Sequence, residues 1–354
     1  MAAMRASALV LALCAACGGG NDKPTDGPPA DDIHPDTPPD GNPLMPATLA
    51  DTGLCANATC DQVMPGVWEY TPQYPLWSDT ATKRRWISLP PGTTIDTTDM
   101  DYWKFPVGTK LWKEFTRDGV RVETRYIVKL LDDDAALNSW FYVPFQWNAT
   151  QDATTAVPMG VTDANGTGHD IPSRTSCKTC HNGLKSRVLG FGAIQLDYQG
   201  PAGQLDLDDL ISMNLLSAPP AGAAGTPRFA LPGTQAQQQA LGYMHANCGH
   251  CHNPTSVTHA NTPLELRLET AKLATVQDTP AYTTSYNVTG HTLMYPLGGP
   301  TYMKIIKPND VANSIIHVRF NSPPSAAGVH MPDIGTEIID PTGMTLIDSW
   351  IGSL

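Results

Sequence analysis

Two short segments constrain this chain more than anything else in it. Cys177-Lys178-Thr179-Cys180-His181 and Cys248-Gly249-His250-Cys251-His252 both read C-x-x-C-H. Two thiols at this spacing are three peptide units apart, which is the span needed to add to the two vinyl groups of one porphyrin. The His that follows is then held under the iron as an axial ligand. Paired C-x-x-C units can also close a zinc site, and a single one can be a redox-active dithiol. Neither of those chemistries uses the trailing His that both segments carry. The motifs therefore predict two covalent c-type haems, on Cys177/Cys180 and Cys248/Cys251, with His181 and His252 as their first axial ligands.

Covalent haem of this kind belongs outside the cytoplasm, and the start of the chain agrees. Arg5 supplies a positive charge, residues 6–13 form a short apolar run, and Ala15 and Ala16 precede Cys17. The run is too short to span a membrane. Cys17 followed by Gly18, Gly19 and Gly20 resembles a bacterial lipoprotein signal, with Cys17 as the lipidated first residue and Cys14 where Leu is usual; simple secretion is the alternative. Residues 1–17 thus read as a signal peptide. Residues 18–49 read as a tether, because Asp and Pro alternate there and leave too little apolar surface to fold. Such a protein is expected to be exported, periplasmic or at the cell surface, and anchored to a bacterial membrane through lipid on Cys17. The formal net charge of −12 argues against nucleic acid and anionic lipid as partners and leaves redox proteins as the expected ones.

The body of the chain reads as α+β: a β-rich N-terminal domain followed by a mostly α-helical dihaem region. In residues 50–165, Val122, Thr124, Tyr126 and Val128 alternate with Arg121, Glu123, Arg125 and Lys129, the pattern of a half-buried strand. Asp118-Gly119 before it predicts a hairpin turn, with Leu111 to Thr116 as the partner strand. Trp140 to Phe145 is a further strand, placed at an edge or break by Pro144. The aromatic residues Trp68, Tyr70, Tyr74, Trp77 and Trp86 are expected in the core. Cys55 and Cys60 suit a small disulfide loop in an oxidising compartment. Residues 166–233 hold the first haem motif. In residues 234–354, Thr234 and Gln237 form a capping box for a helix that ends before Cys248, and Asp340-Pro341 starts a C-terminal helix with Met344, Ile347, Ile351 and Leu354 on one face.

Helix, C-x-x-C-H motif, loop, Met-Pro pair and closing helix together make residues 234–354 resemble a class I cytochrome c domain. The resemblance implies Met331, of His330-Met331-Pro332, as the second ligand of the second haem, with Met294 and Met303 next in order. It also implies a crossing of the first and last helices at a small residue, involving Gly242, Tyr243 and Trp350. Residues 50–354 resemble dihaem c-type cytochrome lipoproteins through Tyr74-Pro-Leu-Trp-Ser-Asp79, Phe105-Pro-Val-Gly108, Ile171-Pro-Ser-Arg174 and the stretch from Tyr243 to Pro254. The segment between His181 and Thr234 is too short for a second complete class I domain. The sixth ligand of the first haem therefore stays open among Met213, His245, His169 and Met159. His250 reads as an exposed spacer residue, and Arg174 as a possible partner of a haem propionate. The function expected is relay of single electrons between exported or membrane redox partners. Two alternatives stay open: a dihaem peroxidase-type enzyme with an open first haem, and a cytochrome subunit serving a separate dehydrogenase.

Overall fold

The computed structural model describes residues 45–290, 304–326 and 328–354. The signal segment with Cys17, the tether up to residue 44, and Met294 and Met303 lie outside the described residues. Six strands form one antiparallel meander in chain order: β1 Trp68–Glu69, β2 Thr82–Ser88, β3 Lys110–Arg117, β4 Val120–Lys129, β5 Trp140–Trp147 and β6 Thr154–Ala156. Asp118 and Gly119 join β3 to β4 with φ of 51° and 81°, the doubly left-handed turn that matches strand twist. β5 is not at the edge. It pairs along β4, with Pro144 opposite Arg125, and β6 covers only Phe145 to Trp147 on its other side. The Pro144 carbonyl accepts from the Val157 N–H, just past the end of β6. The donor that Pro144 lacks faces the same way, beyond the reach of the ladder, so the proline costs little.

Both faces of the sheet are buried. On one, Trp86, Trp112, Tyr126, Val128, Phe141, Val143, Phe145 and Trp147 pack against the segment that carries Leu49, Leu54 and the Cys55–Cys60 disulfide. On the other, Ile87, Leu111, Ile127, Trp140 and Tyr142 share a core with Tyr70, Cys177, Val188, Phe191, Leu196, Leu207 and Leu210. Trp86 and Tyr70 are core residues as expected, whereas Trp77 is half-buried and lines a cleft.

A mostly α-helical haem region is not what the structure shows: the described residues are 25% helical and 18% strand. Its helices are α1 Arg174–His181, α2 Ala193–Leu196, α3 Leu207–Ser212, α4 Gln235–Asn247, α5 Pro280–Thr283, α6 Ile315–Asn321 and α7 Pro341–Gly352. Among the described residues only α4 and α7, with 13 and 12 residues, run to three turns or more. The reason lies in what the apolar residues pack against. Between α1 and α4 they pack on the sheet from loops and the short helices α2 and α3, and Gly190, Gly192, Gly200-Pro201 and Pro219-Pro220 keep the helices there short.

α4 begins with the Thr234–Gln237 capping box, and α7 with Asp340 accepting from the Thr342 N–H and Pro341 in its first turn. The two helices pack closely. A Cβ on Gly343 would lie 2.2 Å from the Tyr243 ring, and a Cβ on Gly242 would lie 2.2 Å from the Tyr74 ring. The small residue at the α4–α7 crossing is thus Gly343. Gly242 instead receives Tyr74 from the sheet-bearing part of the chain. Trp350, Ile347 and Ile351 are fully buried beneath α4 in the second core.

Candidate cofactor sites

α1 starts where Ser173 accepts from the Ser176 N–H, and it presents Cys177, Cys180 and His181 over the sheet. The His181 ring packs on Tyr142 at 5.0 Å between centroids. Its Nδ1 hydrogen-bonds the Arg187 carbonyl at 2.6 Å. Arg187 holds that carbonyl in place from a left-handed backbone conformation, φ 59°, with its guanidinium on the Asn182 and Asp134 carbonyls. Strained backbone of this kind is found where the surroundings fix it. The proton then sits on Nδ1, and Nε2 keeps a lone pair for a metal. Burial also depresses the imidazole pKa to about 4, so the ring is neutral.

Cys177, Cys180 and His181 border an open cleft between the sheet, α1 and residues 332–337. Its floor is the polar face of the sheet. Arg85, Lys113 and Arg125 stand in cross-strand register there, Arg85 opposite Lys113 and Lys113 opposite Arg125. Like charges so placed destabilise a sheet. Arg85 is 5% exposed. Neither Arg85 nor Lys113 has a carboxylate partner among the described residues, and Lys113 rests on the Phe115 ring. Burial and then the neighbouring Arg85 push the Lys113 ammonium well below its ordinary pKa. A dianionic ligand edge would relieve this repulsion, and a haem presents one in its two propionates.

Arg125 is differently placed. It clamps the fully buried Glu123 through Nε and Nη2 at 2.9 and 2.6 Å, and His169 Nε2 meets the same carboxylate at 2.8 Å. Burial raises the Glu123 pKa, but Arg125 and His169 outweigh it and hold it lower than usual. Among the other candidates, Met213 and Met159 are exposed and do not line the cleft. Arg174 is spent on the Tyr142 carbonyl and the Phe141 ring. His245 is buried in α4 beside an adjoining cavity, and its Nδ1 accepts from the Leu268 N–H at 3.0 Å. That bond places its proton on Nε2 and leaves no lone pair free.

The second motif follows α4 directly. His252 has one ring nitrogen turned to the Leu264 carbonyl, while Nδ1 is buried without a partner. A buried nitrogen left so costs about 1–3 kcal/mol, which a metal ligand bond would remove. Around it lie Arg319, whose charge faces His252 and whose carbonyl accepts from the Met331 N–H at 3.1 Å, and Asp333, which faces Cys251. Met331 is half-buried beside these groups. Cys177 is buried and Cys248 and Cys251 are half-buried, and desolvation pushes the thiols of Cys177 and Cys251 up to about 11 and that of Cys248 to about 12. A reactive dithiol needs the opposite shift. Among the described residues no three His, Cys, Asp or Glu side chains gather into a metal-holding group, so the cysteines do not converge as zinc ligands would. Both motifs fit the covalent group that their spacing predicts.

The sequence reading missed His250. It is half-buried, not exposed, and lines the first cleft. No helix among the described residues is long and apolar enough to cross a membrane. Comparison of the chain with protein-family models, with curated proteins and with solved structures finds no match.

Proposed function

We propose that this chain is a dihaem c-type cytochrome that relays single electrons between exported or membrane redox partners. One observation carries the reading. A C-x-x-C-H segment, its His tautomer fixed by a backbone carbonyl, borders a cleft whose floor carries Arg85 and Lys113, neither with a carboxylate partner among the described residues. Cys177 and Cys180 would hold the first haem and His181 would ligate it; Cys248, Cys251, His252 and Met331 would do the same for the second. Each haem, when bound, supplies a one-electron couple.

The protein's own part is to hold and to exclude. Arg187 orients His181, the sheet buries one side of the cleft, and Arg85 and Lys113 neutralise the acidic edge. Asn247 ties the lip of the cleft to α4, accepting from the Trp77 N–H at 2.6 Å and donating to the Pro75 carbonyl at 3.3 Å. Lipid on Cys17 and the Asp/Pro tether would hold this body near a membrane.

The enzyme alternative has one observation in its favour, the buried His169–Glu123 pair on the cleft wall, which is an acid–base arrangement in principle. Rapid mixing separates the two readings. A relay, once reduced, gives up two electrons to a one-electron acceptor and consumes no peroxide catalytically. Sustained peroxide reduction with an added donor contradicts the relay and supports the enzyme.

A further inference from the structure

His250 sits in the spacer of the second motif, yet its side chain belongs to the first site. It lines the same cleft as Cys177, Cys180 and His181 and stands on the wall shared with the adjoining cavity. The backbone is built to keep it there. A Cβ on Gly183, two residues after His181, would fall 2.7 Å from the His250 carbonyl, so only glycine permits this approach. Asn253, fully buried, donates its amide to the carbonyls of Gly183, Gly249 and His250 at 2.9–3.0 Å and so joins the two motif loops. Gly249 is pinned in the same way, with its Cβ position 2.7 Å from the His245 carbonyl and 2.8 Å from the Arg267 Cα.

The chemistry matches the placement. One ring nitrogen of His250 is turned to the Ala246 carbonyl, as His181 Nδ1 is to Arg187. Each ring thus keeps one nitrogen with a free lone pair, both line the cleft, and the charge of His250 is felt at His181. Of the rival donors, His169 Nε2 lies on Glu123, and among the described residues no Met side chain lines the cleft.

We infer that His250 is the second axial ligand of the first haem, so that the loop carrying the second haem also closes the site of the first. This inference rests on the dihaem reading. It makes the first site bis-histidine and six-coordinate, and it couples the two centres through a three-residue peptide, Cys248 to His250.

The test is made on the full-length, haem-loaded protein. Intact mass first counts the haems; if the wild type carries none on the first motif, the dihaem reading and this inference fall together. With two haems present, the near-infrared charge-transfer bands of the oxidised wild type should show one His–His centre, and the reduced form should bind no carbon monoxide rapidly. A wild type that lacks a His–His centre, or that binds carbon monoxide at the first haem, overturns the inference and leaves the dihaem reading standing. His250→Ala should keep two haems by mass, bind one equivalent of carbon monoxide per chain, and return to the six-coordinate spectrum with added imidazole. His245→Gln, as control, should keep the wild-type spectrum. A His250→Ala protein that stays six-coordinate and inert to carbon monoxide overturns the assignment. If that variant fails to fold, the wild-type near-infrared spectrum decides alone.

Discussion

At the scale of single residues, the polar face of β4 carries the main lesson. Arg121, Glu123 and Arg125 alternate with Val122, Thr124 and Tyr126, and by periodicity alone the charged set belongs in water. In the structure Glu123 is fully buried and Arg125 lines the cleft. Alternation distinguishes the two faces of a strand but does not say what covers the polar one. Glu123→Gln would leave Arg125 and His169 without their shared anion, and should destabilise the folded protein by about 3 kcal/mol at neutral pH. Because the Glu123 pKa is lowered in the fold, its contribution is complete above its ordinary value of 4.5 and fades as the pH falls through the lower folded value. Denaturation curves should therefore show the difference between wild type and variant shrinking below that pH; a constant difference contradicts the assignment. Arg85→Gln removes one unpaired positive charge from the cleft floor. It should lower the potential of the first haem alone, by an amount on the order of tens of millivolts, as read by spectroelectrochemical titration. An unchanged potential would mean that Arg85 faces something else.

At the scale of elements, local signals were sound wherever the chain itself supplies the constraint. The Asp118-Gly119 turn, the capping box of α4 and the Asp340-Pro341 start of α7 are all present at the expected positions. Residues 166–354 hold less helix than expected, because the apolar residues between α1 and α4 pack on the sheet and only the short α2 and α3 form there. The crossing of α4 and α7 was legible as a need for a small residue, but the residue is Gly343. Tyr243 fits over it and its hydroxyl interacts with Asp340 at the start of α7. Gly343→Ala should drive a methyl group into that ring and cost about 1–3 kcal/mol in a denaturant titration. Much of the loss should be recovered in the Gly343→Ala, Tyr243→Leu double variant. Additive losses would place Tyr243 elsewhere.

At the scale of the whole molecule, the sheet forms one wall of the cleft beside Cys177, Cys180 and His181 rather than a separate module. Its core runs into the segment of the first C-x-x-C-H motif through Tyr70, Phe191 and Cys177, and Tyr74 reaches the helix before the second through Gly242. Neither link is written in the sequence, since both join residues far apart in the chain with no pattern in common. The same holds for His250, whose position depends on how two loops dock. What the sequence does state outright is the pair of C-x-x-C-H segments, and the account depends on them. The most direct measurement is the intact mass of the exported, purified protein, taken with its absorption spectrum before and after reduction. The purified protein should show the mass of the processed chain plus two haems, a spectrum of c-type centres, and loss of one haem mass when Cys177 and Cys180, or Cys248 and Cys251, are replaced by Ser. A chain mass without haem, or with zinc in its place, would contradict the dihaem reading.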